Sequence, residues 1–298
     1  MDRLASMSLF VTVAETGGFS AASRKLGMPL PTVSRKISEL ETYLKVRLLN
    51  RSTRRLELTE SGKSYLAACK RIIDEVHEAE RVAANEYTAP KGELMITAPI
   101  WFGRLHLLPV VIDFLKAYPD IDVGLMLTDR VVSLLEEHVD LALRIGALPD
   151  SSMMAIRLGA IRQVVCASPA YLEAHGTPKT PMDLLQHHCI MMQVYNSTPW
   201  TFTTGSKTIT VPVRARLTVS TAEAAIDAAV GGIGITRVLS YQMAAMQKAG
   251  KLVTLLDAFE PAVLPVSMLY MSGRILPLKL RAFLDFAIPR LRAQVAPF

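Results

Sequence analysis

The amino-acid sequence predicts an α/β protein in three consecutive parts: a basic head of short helices with a hairpin, one long helix, and a larger region of alternating strands and helices. Three observations predict this. Of 298 residues, the first 58 carry ten Lys or Arg against five Asp or Glu, whereas the remainder carries 23 against 22. No Pro or Gly interrupts Lys63 to Tyr87. Beyond Gly92, short β-branched runs alternate with helical stretches, the pattern of a mostly parallel sheet with helices on it.

Half the residues are apolar and a fifth are charged, which suits a globular chain long enough for two domains. No run approaches the ~18 apolar residues of a membrane span, so no membrane partner is expected. The opening MDRLASMSLFVTVAETGG is acidic at once and has no cleavage-site pattern, so no signal peptide is expected. Cys69, Cys166 and Cys189 are odd in number and far apart, which points to a reducing cytoplasm. Charge confined to one end suggests that the head meets a polyanion; the alternative is a solvated basic surface without a role.

In the head, Leu4, Met7, Leu9, Phe10, Val13 and Ala14 recur at helical spacing up to Gly17-Gly18. Ser20 is placed to cap a second helix over Ala21–Leu26, and Gly27 supplies its exit. Pro31 suits the first position of a third helix. There Val33, Ile37, Leu40 and Leu44 form one apolar stripe, with Thr32, Ser34, Arg35, Lys36 and Ser38 facing away from it or flanking it. Two helices joined by a short turn lay the second in the major groove of DNA. Arg35 can donate two hydrogen bonds to a guanine edge, and Thr32 and Ser34 can reach phosphates or bases. The runs Arg47–Leu49 and Arg55–Leu58 then read as hairpin arms around Asn50, Arg51, Ser52, Thr53 and Arg54. With Arg55 this tip holds three basic residues, a wing suited to phosphates or the minor groove.

Phe19-Ser20-Ala21-Ala22, Thr32-Val33-Ser34-Arg35, Leu40-Glu41, Arg47-Leu48-Leu49-Asn50-Arg51 and Leu58-Thr59-Glu60-Ser61-Gly62 together resemble the LysR-type transcriptional regulators. Members are usually bacterial and bind DNA through a winged helix-turn-helix. The resemblance implies base or phosphate contacts for Pro31, Thr32, Ser34, Arg35 and the wing arginines. The family often has Gln where this chain has Leu30, so operator sequence does not carry over.

Thr59 can cap the long helix, in which Tyr65, Cys69, Ile72, Val76, Ala79 and Ala83 alternate at spacings of four and three, the 3.5-residue period of a heptad. Self-association is the simplest cover for that seam, packing on the C-terminal region the alternative. The resemblance implies a homodimer made by this helix, and a homotetramer is a further state. Thr88-Ala89-Pro90-Lys91-Gly92 ends the helix. The expected domains are 1–58, 59–89 and 90–298.

In the last region strands are expected at Leu94–Thr97, Val123–Leu127, Asp140–Ile145, Gln163–Ser168, Ile190–Val194, Trp200–Thr203, Ile209–Val213, Arg216–Val219, Ile233–Arg237 and Val263–Met271. Helices are expected near Leu105–Ala117, Val131–Glu137, Ala222–Val230 and Leu278–Leu291. Two α/β lobes result, one from about 90–162 with 266–298 and one from about 163–265, with a cleft at the strand ends. KGELMITAPIWFGRLHLLP, VDLALRIG and GGIGIT are similar to the family's effector-binding domain, itself like periplasmic solute-binding folds. The resemblance places Thr97, Ala98, Pro99, Trp101, Phe102, Gly103, Thr128, Arg144, Ile145, Val165, Ser220 and Thr221 around a small organic effector. Arg144 can balance an anion, and Trp101 with Phe102 can form apolar wall or core.

No catalytic constellation, cofactor motif or metal-ligand spacing stands out. Adjacent His187 and His188 on a strand point to opposite faces, and Cys166 and Cys189 sit in apolar runs that favour inert thiols over a redox pair. The expectation is a cytoplasmic, DNA-binding regulator rather than an enzyme, nucleoid-associated when bound to DNA. The alternative is a solute-binding or catalytic α/β domain carrying a basic partner-binding head.

Overall fold

The computed structural model describes residues 2–51, 56–83, 89–135, 137–148, 153–192, 199–205, 207–271 and 276–295. The head begins with α1 (Arg3–Glu15), whose first turn is capped by the Asp2 carboxylate accepting from the Ala5 amide at 3.1 Å. Next come α2 (Phe19–Leu26) and α3 (Leu30–Leu44). Phe10, Val13, Ala22, Val33, Ile37 and Leu40 are almost fully buried together, so the predicted stripes face one another. Two boundaries differ from expectation. The second helix starts at Phe19 with Gly18 as its cap and no side-chain bond, so Ser20 lies inside its first turn. The third starts at Leu30, which puts Pro31 in the first turn after the opening residue, where a missing N–H costs nothing.

The wing is an antiparallel pair, β1 (Leu49–Arg51) with β2 (Leu56–Leu58), in register Leu49 to Leu58. The first arm thus lies two residues later than predicted. Leu48 and Leu49 are buried in the head, and their amides donate to the Glu41 carboxylate at 2.8 and 3.1 Å. Leu48 is thus held against α3, and the ladder begins only at Leu49. The tip residues Ser52, Thr53, Arg54 and Arg55 fall outside the described residues.

The long helix α4 spans Glu60–Ala83, with Thr59 Oγ1 accepting from the Gly62 amide at 2.9 Å as predicted. Gly62 has a specific cause: a Cβ there would sit 2.0 Å from the Leu48 carbonyl oxygen, so only glycine lets the helix start this close to the wing.

The larger region runs β3 (Gly92–Ala98), α5 (Ile100–Phe102), a π-helical turn (Gly103–Leu107), α6 (Leu108–Ala117), β4 (Ile121–Leu127), β5 (Leu141–Ile145) and β6 (Met153–Ile161). It continues with β7 (Gln163–Ala167), α7 (Pro169–His175), a 3-10 turn (Pro181–Gln186), β8 (Cys189–Met192), β9 (Trp200–Thr204), β10 (Lys207–Val211) and β11 (Ala215–Val219). Then follow α8 (Ala222–Val230), β12 (Ile235–Leu239), α9 (Ser240–Lys248), β13 (Val253–Leu255), a 3-10 turn (Asp257–Phe259), β14 (Leu264–Met271) and α10 (Leu278–Val295). Pro109 near the start of α6 has no N–H for the Leu105 carbonyl, and the π turn just upstream absorbs that mismatch.

Two five-stranded sheets share one topology. The first is ordered β4-β3-β5-β14-β6 and the second β11-β8-β12-β7-β13. In each, the first three strands are parallel, and the strand that has crossed from the other sheet enters antiparallel. The sheets are therefore mixed rather than mostly parallel, because a returning chain meets the sheet from its opposite end. The crossings run through Arg162 and through the segment near Glu260, which form an ion pair at 3.2 Å. Leu94, Ile96, Phe102, Phe114, Leu141 and Phe283 centre the first core. The second sheet is covered on one face by Trp200 and Phe202 and on the other by α8 and α9.

The predicted helix over Val131–Glu137 is absent among the described residues, which form turns there. Val131 is 89% exposed while Val132 and Leu134 are buried, and Arg130 clasps Glu137 through both guanidinium nitrogens. That clasp closes a loop instead of a helical turn. β6, β13, α7 and α9 carried no sequence signal strong enough to predict them. β6 and β13 are sheet edges with irregular burial.

Candidate nucleic-acid interface and effector cleft

At the amino end of α3, Pro31 and Arg35 are exposed and Thr32, Ser34 and Lys36 are half-buried. Arg35 Nη1 meets Glu39 Oε1 at 2.9 Å, with the two side chains 67% and 45% exposed. An exposed pair one turn apart contributes only ~0.3–0.5 kcal/mol, so Arg35 is free to exchange it for a better acceptor. A groove of 810 Å³ separates α3 from β1, lined by Ser38, Glu41, Thr42, Lys45, Arg47 and Asn50 among others. Sequence reasoning left Thr42, Lys45 and Arg47 out of the interface. Their signal was present: Ser34, Ser38, Thr42 and Lys45 recur at spacings of four and three and continue one helix face. Arg24, Lys25, Lys36, Lys45 and Arg47 have no carboxylate partner among the described residues. Arg51 enters through the backbone of β1. Leu30 is 43% exposed and brings no donor to this face.

The seam of the long helix divides. Tyr65 and Cys69, expected to face a second copy, are covered by the chain's own head: Cys69 is fully buried and Tyr65 packs on Phe10 with ring centroids 5.6 Å apart. Lys70 pairs with Glu15 of α1 at 3.0 Å across the same junction. The first turns of α4 therefore complete the head core, because three short helices alone leave one side of Phe10 bare. Ile72 and Val76 lie beyond this cover and are half-buried. The side chains of Ala79 and Ala83 are outside the described residues.

Around the expected cleft, Thr97 and Ala98 end β3, fully buried, and the Thr97 hydroxyl has no hydrogen-bond partner among the described residues. Pro99 precedes α5, whose Ile100 amide donates to the Asp129 carboxylate at 3.0 Å. Asp129, unforeseen from the sequence, thus occupies the first amide of α5. Thr128 joins this corner, its amide donating to the Ala98 carbonyl at 2.9 Å. Trp101 is half-buried and packs against the cores of both sheets. Phe102 is core rather than cleft wall, fully buried against Tyr241 with ring centroids 5.5 Å apart and an edge-on geometry. Gly103 is buried beside it, where a Cβ would meet Leu127 at 2.2 Å.

Arg144 also departs from expectation. Leu141 and Leu143 of β5 face the Phe102 core, whereas Ala142 faces the opposite side, so Arg144 lies on the side away from Phe102. Its guanidinium turns onto the loop after Arg130, reaching the Val132 carbonyl at 3.4 Å. Burial pulls its pKa below the usual arginine value, with Glu137 opposing that. Ile145 packs on the first core and Val165 is buried in the second sheet. Ser220 and Thr221 are exposed at the end of β11, where Thr221 Oγ1 accepts from the Ala224 amide at 3.3 Å. Ser220, Thr218, Val219 and Ala224 line a depression of 430 Å³. The predicted set is thus spread over both lobes, with Phe102 and Val165 in cores and Arg144 turned aside.

Cys166 and Cys189 pair with opposite sides of β12 and point into different cores. Two strand spacings, roughly 10 Å, exceed the ~7 Å Cα limit for a disulfide. Burial raises both thiols to about 12. The Tyr171 hydroxyl lies 3.3 Å from His187 Nδ1 and accepts from the His188 amide at 3.0 Å, so this segment is stitched to α7.

A winged helix-turn-helix with an open cationic face, followed by a long helix and two sheets joined by paired crossings, defines a ligand-responsive DNA-binding regulator. Residues 4–63 match the bacterial regulatory helix-turn-helix proteins of the lysR family, and residues 88–292 match the LysR substrate binding domain. The chain is 35% identical over 288 residues to an HTH-type transcriptional regulator of Xanthomonas campestris pv. campestris, covering 95% of this chain and 84% of the relative. It is 34% identical over 291 residues to an HTH-type transcriptional repressor of Pseudomonas aeruginosa, covering 97% and 92%. The full-length Vibrio cholerae virulence activator AphB superposes with TM-score 0.62 at 30% identity, covering 96% and 98%. The chain belongs to the LysR family of transcriptional regulators. No helix among the described residues is long and apolar enough to cross a membrane.

Proposed function

We propose that residues 1–58 read promoter half-sites, residues 59–89 pair two chains, and residues 90–298 sense a small organic effector between lobes of about 90–162 with 266–298 and about 163–265. The carrying observation is the open face of α3: Arg35 pairs with an exposed Glu39, beside a groove whose cations Lys45 and Arg47 have no carboxylate partner among the described residues. Such cations release counterions when they meet phosphates, and Pro31, Thr32, Ser34 and Lys36 complete the reading face with the wing arginines. Ile72 and Val76, with Ala79 and Ala83, form the pairing seam of a homodimer, which can double to a tetramer. Two linked heads then face a two-fold related site. Trp101 touches the cores of both lobes, so an effector that alters lobe closure biases head placement through differential affinity for two arrangements. The protein works in the cytoplasm and turns over no substrate.

A mobility shift on the DNA upstream of its own gene tests this. Binding should weaken steeply with salt and need the head. Salt-independent binding, or none, would overturn the reading.

A further inference from the structure

Among the described arginines of the effector domain, Arg144 and Arg237 are half-buried, and they differ in their surroundings. The exposed Arg162 has Glu260 at 3.2 Å, and Arg144 lies in the field of Glu137. Arg237 projects from β12, the central strand of the second sheet, on the face shared by Val165, Trp200, Phe202 and Ile235. Its contacts are the Thr201 carbonyl at 3.4 Å, the Pro199 carbonyl at 3.5 Å and the Trp200 ring at 5.4 Å. Among the described residues, the two hydrogen bonds are long, none of the three partners is anionic, and most of the guanidinium's five donors find no acceptor. Burial with no opposing charge pulls its pKa down to about 10. A desolvated charge without a counterion is costly, and a fold that needed only packing would place Leu or Met here.

Position supplies the purpose. β8, β11 and β12 are parallel, and in such sheets ligands sit beyond the carboxyl ends of the strands. Arg237 lies two residues from the end of β12, where the Ser240 amide meets the Arg162 carbonyl of the crossing at 2.9 Å. Ser220 and Thr221 follow β11 on the same edge.

Resting on the reading of residues 90–298 as an effector domain, we propose that Arg237, rather than Arg144, is the anion anchor of that domain. Its guanidinium receives the carboxylate of a small organic effector at the carboxyl edge of the second sheet. The carboxylate supplies the missing counter-charge and accepts two parallel hydrogen bonds, with the Trp200 ring beside it as apolar wall.

The test uses the full chain with benzoate as probe and benzamide as its uncharged counterpart, followed by thermal shift and Trp fluorescence at millimolar ligand. Benzoate should raise the melting temperature of the native protein and change its emission, while benzamide does neither. Arg237→Gln should abolish the response, Arg237→Lys should weaken it at least tenfold by losing the fork, and Arg144→Gln should keep it. Without ligand, Arg237→Gln should melt no lower than the native protein, since it removes an unbalanced charge. A benzoate response unchanged in Arg237→Gln, an equal response to benzamide, or no response to benzoate at all would each overturn the proposal. So would an Arg237→Gln protein that melts well below the native one and keeps its response, which would make the arginine a structural cap. DNA binding measured alongside separates the two readings: a retained mobility shift with no anion response removes the anchor and leaves the regulator intact.

Discussion

Arg35→Ala is the sharpest probe of the reading head. In the free protein Arg35 gives one hydrogen bond to Glu39 at 2.9 Å in an exposed pair, so releasing it forfeits no more than ~0.5 kcal/mol. A bidentate contact to a guanine edge contributes about 1–3 kcal/mol of discrimination. Two heads on a paired site therefore stake about 2–6 kcal/mol, a weakening of roughly 30-fold to 10⁴-fold in Kd. Fluorescence anisotropy with a labelled upstream fragment, against a random duplex of equal length, measures it. The variant should lose most of its preference for the fragment but little of its affinity for random DNA. Arg35→Lys should fall between, keeping the charge without the fork, and Glu39→Ala should bind as tightly as the native protein or more so. Folding stability should stay within about 0.5 kcal/mol, as for other exposed changes. Undiminished discrimination by Arg35→Ala would refute the assignment of this face.

Glu41→Ala should lower stability by about 1–3 kcal/mol, read by urea unfolding, because the buried amides of Leu48 and Leu49 lose their shared acceptor; Glu41→Gln should recover most of that. Gly62→Ala should cost about 1–3 kcal/mol by thermal melt and impair DNA binding with it, as its Cβ is forced against the Leu48 carbonyl. Burial holds the His106 imidazole below its ordinary value, partly offset by Gln294. The unfolded chain then binds the proton first, so stability is fully present above about 6.5 and falls as the pH drops below that value; His106→Gln should flatten this slope in urea titrations across the range. Cys69, with its thiol raised to about 11, and Cys166 and Cys189, raised to about 12, should resist a thiol reagent until the protein unfolds, and rapid labelling of the native state would contradict their burial.

Much of the head was legible because its signals are local. The stripe Val33, Ile37, Leu40 and the Thr59 cap each act across a single turn or two, so neighbours in the chain are neighbours in space. Charge segregation needs no fold at all. Even Lys45, a cation the sequence reading missed, continues the spacing of Ser34, Ser38 and Thr42 at the end of α3. The long helix shows where local pattern stops: its 3.5-residue repeat required a partner, but whether α1 or a second copy covers Tyr65 and Cys69 depends on the shape of a core assembled from three other helices.

The cleft was far less legible for the same reason. Arg144 and Arg237 look alike in sequence, each the one charged residue in its strand. Their difference lies in what surrounds them: a loop with Glu137 for one, and for the other carbonyls 36 and 38 positions away that bring no charge. Phe102 could serve as core or as wall until α9 brought Tyr241 against it. Residue order dictates the helices, the caps and the distribution of charge, because those energies are summed over a few adjacent residues. Which charges are left without a counterion, and which apolar side chains remain uncovered, follows from packing between distant segments, because desolvation depends on everything within a few ångströms regardless of chain position.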